Sequence, residues 1–272
     1  MFLSHLLIDT GGNPDRPRPG RKWLRNVYHV HQRLCMAFPS NMRVQDDPEF
    51  LKPFKGEDFP LRGNANADPR NPRHSFLFRI DNGIESDAPR AIILVQSELK
   101  PNWDYAFHNA RVFLAADPET REYNPAFTTG DTLRFRIRIN LSKKIQSNRE
   151  GIDLRKPRVG IDAKGRQKDQ SKRVALTWND DQKPEDVIVP WFAEKGAKRG
   201  FEVKGAALLQ LGWSSGFTAE KEKGMKFRSA LLEGTLAVAN PVLFSQTLAS
   251  GIGAAKAFGF GLLSVAPCNV NP

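Results

Sequence analysis

The chain has 272 residues, 40% of them apolar, enough for one large core or two smaller ones, and two domains is the starting expectation. Its formal charge of +11 points to a polyanionic partner, because clustered Lys and Arg displace counterions from a phosphate backbone, although charge alone does not separate RNA, DNA and anionic membrane. The two cysteines, Cys35 and Cys268, lie far apart and outside any CxxC spacing, which argues against a disulfide framework or a zinc site and fits a reducing cytoplasm.

The apolar opening "MFLSHLLI" is short, has no basic run before it and leads into the polar "DTGGNPDRPRPGRK". Neither a signal peptide nor a membrane span is expected, so the chain reads as soluble and cytoplasmic. Residues 2–8 predict a buried strand, followed by a Gly/Pro/Arg connector through Lys22. From Trp23 the apolar residues recur at Val27, Val30, Leu34 and Phe38, the spacing of one helix face, and Pro39 ends the pattern.

Residues 40–73 are rich in Pro, Asn and Asp and predict a long surface excursion. "HSFLFRID" (74–81) and "RAIILVQS" (90–97) predict an antiparallel hairpin, while "PNWDYAFHNARVFL" suits a short helix or an irregular strand. "DTLRFRIRINL" (131–141) alternates strictly. Leu133, Phe135, Ile137 and Ile139 occupy one face and Arg134, Arg136 and Arg138 the other, so one face meets a core and the other offers cations.

Residues 143–173 hold 11 Lys/Arg against 4 Asp/Glu and predict a mobile basic linker or loop. A second unit follows, with strands at "KRVALTW", "AALLQLGWSSG" (206–216) and "FRSALLEGTLAV" (227–238), and a helix over 184–200 interrupted at Pro190. A further helix has Asn240 as cap and Pro241 at its first position, and "FGFGLLSVAP" closes the chain as a strand. Both halves run strand, helix, paired strands, connection, strand. The expected fold is α+β, a tandem pair of ferredoxin-like (RRM-like) domains spanning 1–142 and 174–272 and joined by the basic segment 143–173.

Three motifs bear on chemistry. Tyr28 and His31 share one side of a helix, about one turn apart, while His29 points elsewhere. His29 and His31, two residues apart, cannot face one ion from a regular helix, so a metal is not expected there. The pair is either a margin of the helix's buried face or a proton-transfer station beside Arg25 and Arg33, and a histidine among cations suits chemistry at a phosphodiester. In "GIGAAKAFGFGLL" (251–263) the glycines follow a helix and lead into a strand, the reverse of a dinucleotide fingerprint. Gly251, Gly253, Gly259 and Gly261 with Lys256 form either an anion cradle or a helix cap followed by a glycine-rich strand. The Arg134/Arg136/Arg138 face is either a solvated sheet surface or a strip of like charges relieved by a nucleic-acid backbone.

The stretches "MFLSHLLI", "NVYHVHQRLCMAFP" (26–39), "LVQS" (94–97), "LRFRIRINLSKK" (133–144), "LLEGTLAV" (231–238) and "GIGAAKAFGFGLLSVAP" (251–267) resemble the CasE endoribonucleases, the CRISPR repeat-processing subunits of type I-E Cascade. The resemblance implies a metal-independent, cofactor-free ribonuclease. It would bind a CRISPR repeat hairpin, cut at the 3′ base of the stem by attack of the 2′-hydroxyl, and stay bound beside the backbone and 5′-handle-binding subunits. Tyr28 and His31 would carry the chemistry. RNA would be held by Arg33, the three strand arginines, Lys143, Lys144, the four glycines and Lys256. The competing expectation is a non-cleaving subunit that caps the crRNA hairpin.

Overall fold

In strand β1 (Phe2–Asp9) the alternate residues Ser4, Leu6 and Ile8 are buried, as period-two alternation over a half-covered sheet requires. The computed structural model describes residues 1–11, 19–39, 52, 54–55, 76–82, 90–145, 172–217 and 224–268. The expected excursion at 40–73 lies almost wholly outside them. β2 (Phe76–Asn82) and β3 (Arg90–Ser97) pair antiparallel, Ile80 opposite Ile93, and β1 joins β3 with Leu6 opposite the same Ile93.

A fourth strand, β4 (Glu119–Glu122), completes the sheet in the order β2-β3-β1-β4. Its sequence ETRE has no apolar alternation, so the pattern gave no sign of it. It is held by backbone pairing with β1 and by the Ser4 and Thr120 hydroxyls, 2.9 Å apart.

The helix expected to run on from Trp23 is divided. α1 (Pro19–Leu24) stops, and α2 (Val27–Cys35) restarts behind Asn26, whose extended backbone (φ −110°, ψ 93°) and side-chain oxygen cap the Tyr28 N–H at 3.2 Å. Trp23, Val27, Val30, Leu34 and Phe38 are nonetheless all buried, and all but Val27 join α3 (Trp103–Phe107) in the core that covers the first sheet.

The second sheet has the order β10-β5-β9-β8, built from β5 (Thr132–Asn140), β8 (Phe201–Gly216), β9 (Met225–Val238) and β10 (Leu263–Pro267). Its helices are α4 (Pro184–Ala197) and α5 (Pro241–Ser250), the latter capped by Asn240 as expected. In each half the chain runs strand, helix, strand, strand, helix or loop, strand, and the sheet order places the last strand beside the first, the ferredoxin-like arrangement twice over.

Two boundaries differ from the expectation. β5, expected to close the first unit, opens the second, because Phe135, Ile137 and Ile139 pack beneath α4, where Phe192 lies 5.5 Å from Phe135. The sheets therefore divide the chain between Glu122 and Thr132. The basic segment, expected to link the domains, is an insertion within the second. Its ends, β6 (Ser142–Ile145) and β7 (Lys172–Ala175), pair with each other, Ser142 opposite Ala175, and residues 146–171 lie outside the described residues. α4 is also continuous through Pro190, with Ile188 and Phe192 fully buried on either side, so packing outweighs the local cost of proline. No helix among the described residues is long and apolar enough to cross a membrane.

The domains are locked by buried polar contacts. Arg79, 3% exposed on β2, forms an ion pair with Asp81 at 2.8 Å and donates from Nη1 to the carbonyl of Arg136 (3.0 Å) and the Ser264 hydroxyl (2.5 Å) in the second sheet. Gln96 Nε2 donates to the Leu248 carbonyl at 2.7 Å, and Leu77, Leu94 and Leu262 fill the space between. Arg79→Met strands Asp81 and two acceptors, and should lower unfolding free energy by about 3–5 kcal/mol in urea titration. Arg79→Met with Asp81→Leu should recover most of that loss; a loss under about 1 kcal/mol in the single variant would remove the lock.

Candidate functional site at the domain junction

α2 carries the proposed chemistry, and its N-terminus is fixed by the second domain. Asn26 Oδ1 accepts from the Phe217 N–H at 3.0 Å while its Nδ2 donates to the Phe217 carbonyl at 3.1 Å. Gly216, at the end of β8, lies against Tyr28 and Val27, where an added Cβ would stand 3.4 Å from the Tyr28 Cβ. An N-cap asparagine just before an apolar-periodic residue was a readable signal, obscured because the periodicity already included Trp23.

Tyr28 and His31 both lie half-buried on this helix, whereas His29 is exposed. The His31 ring stacks on Phe76 (5.5 Å between centroids, 27°) and lies nearly parallel to Phe78 (6.4 Å, 16°), both on β2. Its Nε2 is 3.5 Å from Cys35 Sγ. Burial among these groups lowers the imidazole pKa below the usual 6.5 and favours the neutral ring. A neutral imidazole can accept a proton.

The glycine-rich segment reaches α2 through a 3₁₀ turn (Lys256–Phe258), and Gly259 packs over Phe78, one of the rings beneath His31. The glycines are required by close backbone approach. The Ile252 N–H donates to the Gly261 carbonyl at 2.9 Å, and a Cβ on Gly261 would come within 2.4 Å of the Ile252 oxygen. Gly251 caps α5 at φ 72° and abuts Leu77 of the first sheet. Gly253 also has positive φ, 89°, beside Ile139. Lys256 turns back, Nζ to the Ser250 carbonyl at 2.5 Å, rather than standing free over the glycines.

The other cations are dispersed. Arg33 donates to the Ala106 carbonyl (3.0 Å) and Asn109 (2.7 Å), tying α2 to α3. Arg136 is ion-paired with Glu233, its cross-strand partner, and lies 3.9 Å from Asp81, so the arginine strip is interrupted by acids that sequence alternation did not place. Arg134 is exposed beside it, lining one depression with Arg79, while Arg138 lines a separate cleft beneath α2. Lys143 and Lys144 are exposed on β6 at the base of the basic insertion.

Sequence patterning also missed an aromatic support next to that insertion. The Arg228 guanidinium lies 3.8 Å from the Trp178 ring centroid and 6.0 Å from that of Trp213. The Gly216–Met225 end of the β8–β9 hairpin is paired, its residues 218–223 lying outside the described set, and Phe227 packs on Phe258 at 4.8 Å. Among the described residues no three His, Cys, Asp or Glu side chains converge.

Because the folded His31 binds its proton less readily than the unfolded chain, stability should fall as pH drops through 6.5 and below. His31→Phe, which can keep the stack, should flatten that part of the slope in thermal melts between about pH 8 and about pH 5. Identical slopes would show that the ring is not desolvated.

Residues 1–267 match the model of a family described as CRISPR associated protein. Over 275 residues, 98% of this chain and all of the relative, the chain is 27% identical to the CRISPR-associated endoribonuclease Cse3 of Thermus thermophilus. A structure of a CRISPR endoribonuclease Cse3 bound to 19 nt RNA superposes with a TM-score of 0.63 at 24% identity, covering 98% of this chain and 100% of that one. Thermus thermophilus Cse3 bound to an RNA representing a pre-cleavage complex gives 0.59 at 25% identity, with 98% of each chain covered.

Proposed function

The chain belongs to the CRISPR-associated protein family, and from that membership we propose that it is the endoribonuclease that processes CRISPR repeat RNA. It binds the repeat hairpin, cuts at the 3′ base of the stem without a metal, and remains on the product as a subunit of type I-E Cascade with the backbone and 5′-handle-binding subunits. The observation that carries this is the full-length similarity to an endoribonuclease together with Tyr28 and His31 half-buried on a helix that both domains hold.

The nucleophile belongs to the RNA. The 2′-hydroxyl beside the scissile phosphate attacks phosphorus in line, the bond from phosphorus to the 5′-oxygen breaks, and a 2′,3′-cyclic phosphate and a 5′-hydroxyl remain. The protein therefore supplies orientation, proton transfer and charge. The lowered pKa of His31 makes the imidazole a proton acceptor in the free protein. It takes the 2′-hydroxyl proton, and the imidazolium so formed protonates the departing 5′-oxygen. The Tyr28 phenol donates to a phosphate oxygen and holds the attack geometry.

A stem of paired RNA is read mainly through phosphates and groove shape. Lys143 and Lys144 at the insertion, exposed Arg134 and the backbone of the glycine segment are the contacts we assign to it, with Arg136 and Arg138 adding charge behind them. Arg33 and Lys256 hold α3 and the end of α5, so their part is to position the site.

A single general acid/base contributes typically 10²–10⁴-fold. His31→Ala should cut a repeat hairpin in EDTA about 10²–10⁴-fold more slowly than the unaltered protein while binding it equally well. Near-normal cutting by that variant would remove His31 from the mechanism. Binding without cutting by the unaltered protein would make the chain a capping subunit.

A further inference from the structure

The two groups assigned to the chemistry sit on different turns of α2, and the two turns have different anchors. Val30 and Leu34 lie in the core of the first domain, and His31, between them in sequence, stacks on Phe76 and Phe78 of β2. The opening turn is held elsewhere. Val27 is buried but outside that core, and an added Cβ on Gly216 of β8 would stand 3.5 Å from its Cγ2 and 3.4 Å from the Tyr28 Cβ. The end of β8 is therefore the surface against which Tyr28 is set.

Asn26 fastens that surface. The last rung of the β8–β9 ladder pairs Gly216 with Met225, and one residue further on the Phe217 backbone pairs with a side chain. Asn26 Oδ1 accepts from the Phe217 N–H at 3.0 Å and from the Tyr28 N–H at 3.2 Å, which uses both of its lone pairs, while Nδ2 donates to the Phe217 carbonyl at 3.1 Å. The carboxamide does for Phe217 what a neighbouring strand would do. A cap alone does not require this residue, because Ser and Asp cap a helix as well as Asn. Of the three, asparagine alone carries an acceptor oxygen and an N–H donor on one planar group, the pair that a peptide unit also presents.

The bonds to Phe217 matter because the first turn of a helix is its least supported part. α1 ends at Leu24, so α2 has no helical turn ahead of it, and the N–H groups of its first residues find no carbonyl partner within the helix. Tyr28, next to Val27 at the start of α2, moves with that turn, whereas His31 lies a turn further on over β2. We propose that Asn26 is the positioning residue for Tyr28, its carboxamide latching the start of α2 to Phe217 so that the second domain sets the phenol as β2 sets the imidazole. This rests on the endoribonuclease reading and adds to it a division of the site, in which each of the two groups is aimed by a different domain.

Two variants separate the latch from the cap. Asn26→Ser keeps a cap but is too short to reach Phe217, and Asn26→Asp keeps the cap while turning an oxygen toward the Phe217 carbonyl. Cleavage of a repeat hairpin is measured in single turnover with protein in excess, beside hairpin affinity and thermal melts that confirm folding. Each variant should cut about tenfold more slowly than the unaltered protein, with hairpin affinity within about twofold. The slowing should be the same factor at every pH, because His31 keeps its surroundings. It should vanish in the Tyr28→Phe background, where no phenol hydroxyl is left to aim. A residue serving stability alone would repeat its loss in full on Tyr28→Phe. That result, normal cutting by both Asn26 variants, an acid limb of the rate profile that moves, or normal cutting by Tyr28→Phe would each overturn the latch and leave the endoribonuclease reading standing. A hairpin that the unaltered protein neither binds nor cuts would instead sink that reading, and the latch with it.

Discussion

Arg79 is the contact through which two sheets become one molecule. A guanidinium that is almost fully enclosed must place every donor, and here Asp81 neutralises it while acceptors on β5 and β10 take the rest. The consequence reaches the site through the period of the strand. On β2, Leu77 and Arg79 face the second domain, whereas Phe76 and Phe78 face the other way and form the floor under His31. One strand thus orients both the domain partner and the imidazole, and a slip by one residue would exchange them.

The glycine-rich segment closes the arrangement from the second domain. Gly261 donates its N–H to the Arg138 carbonyl at 2.8 Å and accepts from Ile252, so two backbones meet where no side chain fits. That contact delivers Phe258 and Gly259 to α2 and Phe78. Glycine here secures the docking of an aromatic turn against α2. The same carbonyl contact fixes the main chain of Arg138, whose side chain enters the cleft. The local chemistry of α2 therefore depends on parts of the chain more than two hundred residues away in sequence.

Much of this was legible in the sequence. The buried face Trp23, Val27, Val30, Leu34 and Phe38, the strict alternation of β5 and the Asn240-Pro241 helix start are short-range patterns, and each is present as expected. What was not legible depended on pairing across distance. β4 is polar and shows itself only through its partner β1. β5 reads the same whichever sheet receives it, so its domain could not be assigned from alternation. The ladder between β6 and β7 pairs residues as far apart in sequence as Ser142 and Ala175, at the ends of a basic stretch with no apolar pattern. The spacing of Tyr28 and His31 placed them on one side of a helix, as they are, but the stacking of His31 on Phe76 and Phe78 and the diversion of Arg33 and Lys256 to backbone carbonyls arise only from tertiary contacts.

The central claim is that docking of the two domains sets an imidazole and a phenol on α2 at the scissile phosphate of an RNA hairpin. The most direct measurement is a structure of the chain with a repeat hairpin carrying a 2′-deoxy residue at the cut position. The account predicts His31 Nε2 within hydrogen-bond distance of the blocked 2′ position and the Tyr28 hydroxyl on a non-bridging oxygen of the same phosphate. A hairpin seated with that phosphate on another face of the molecule, away from α2, would contradict it.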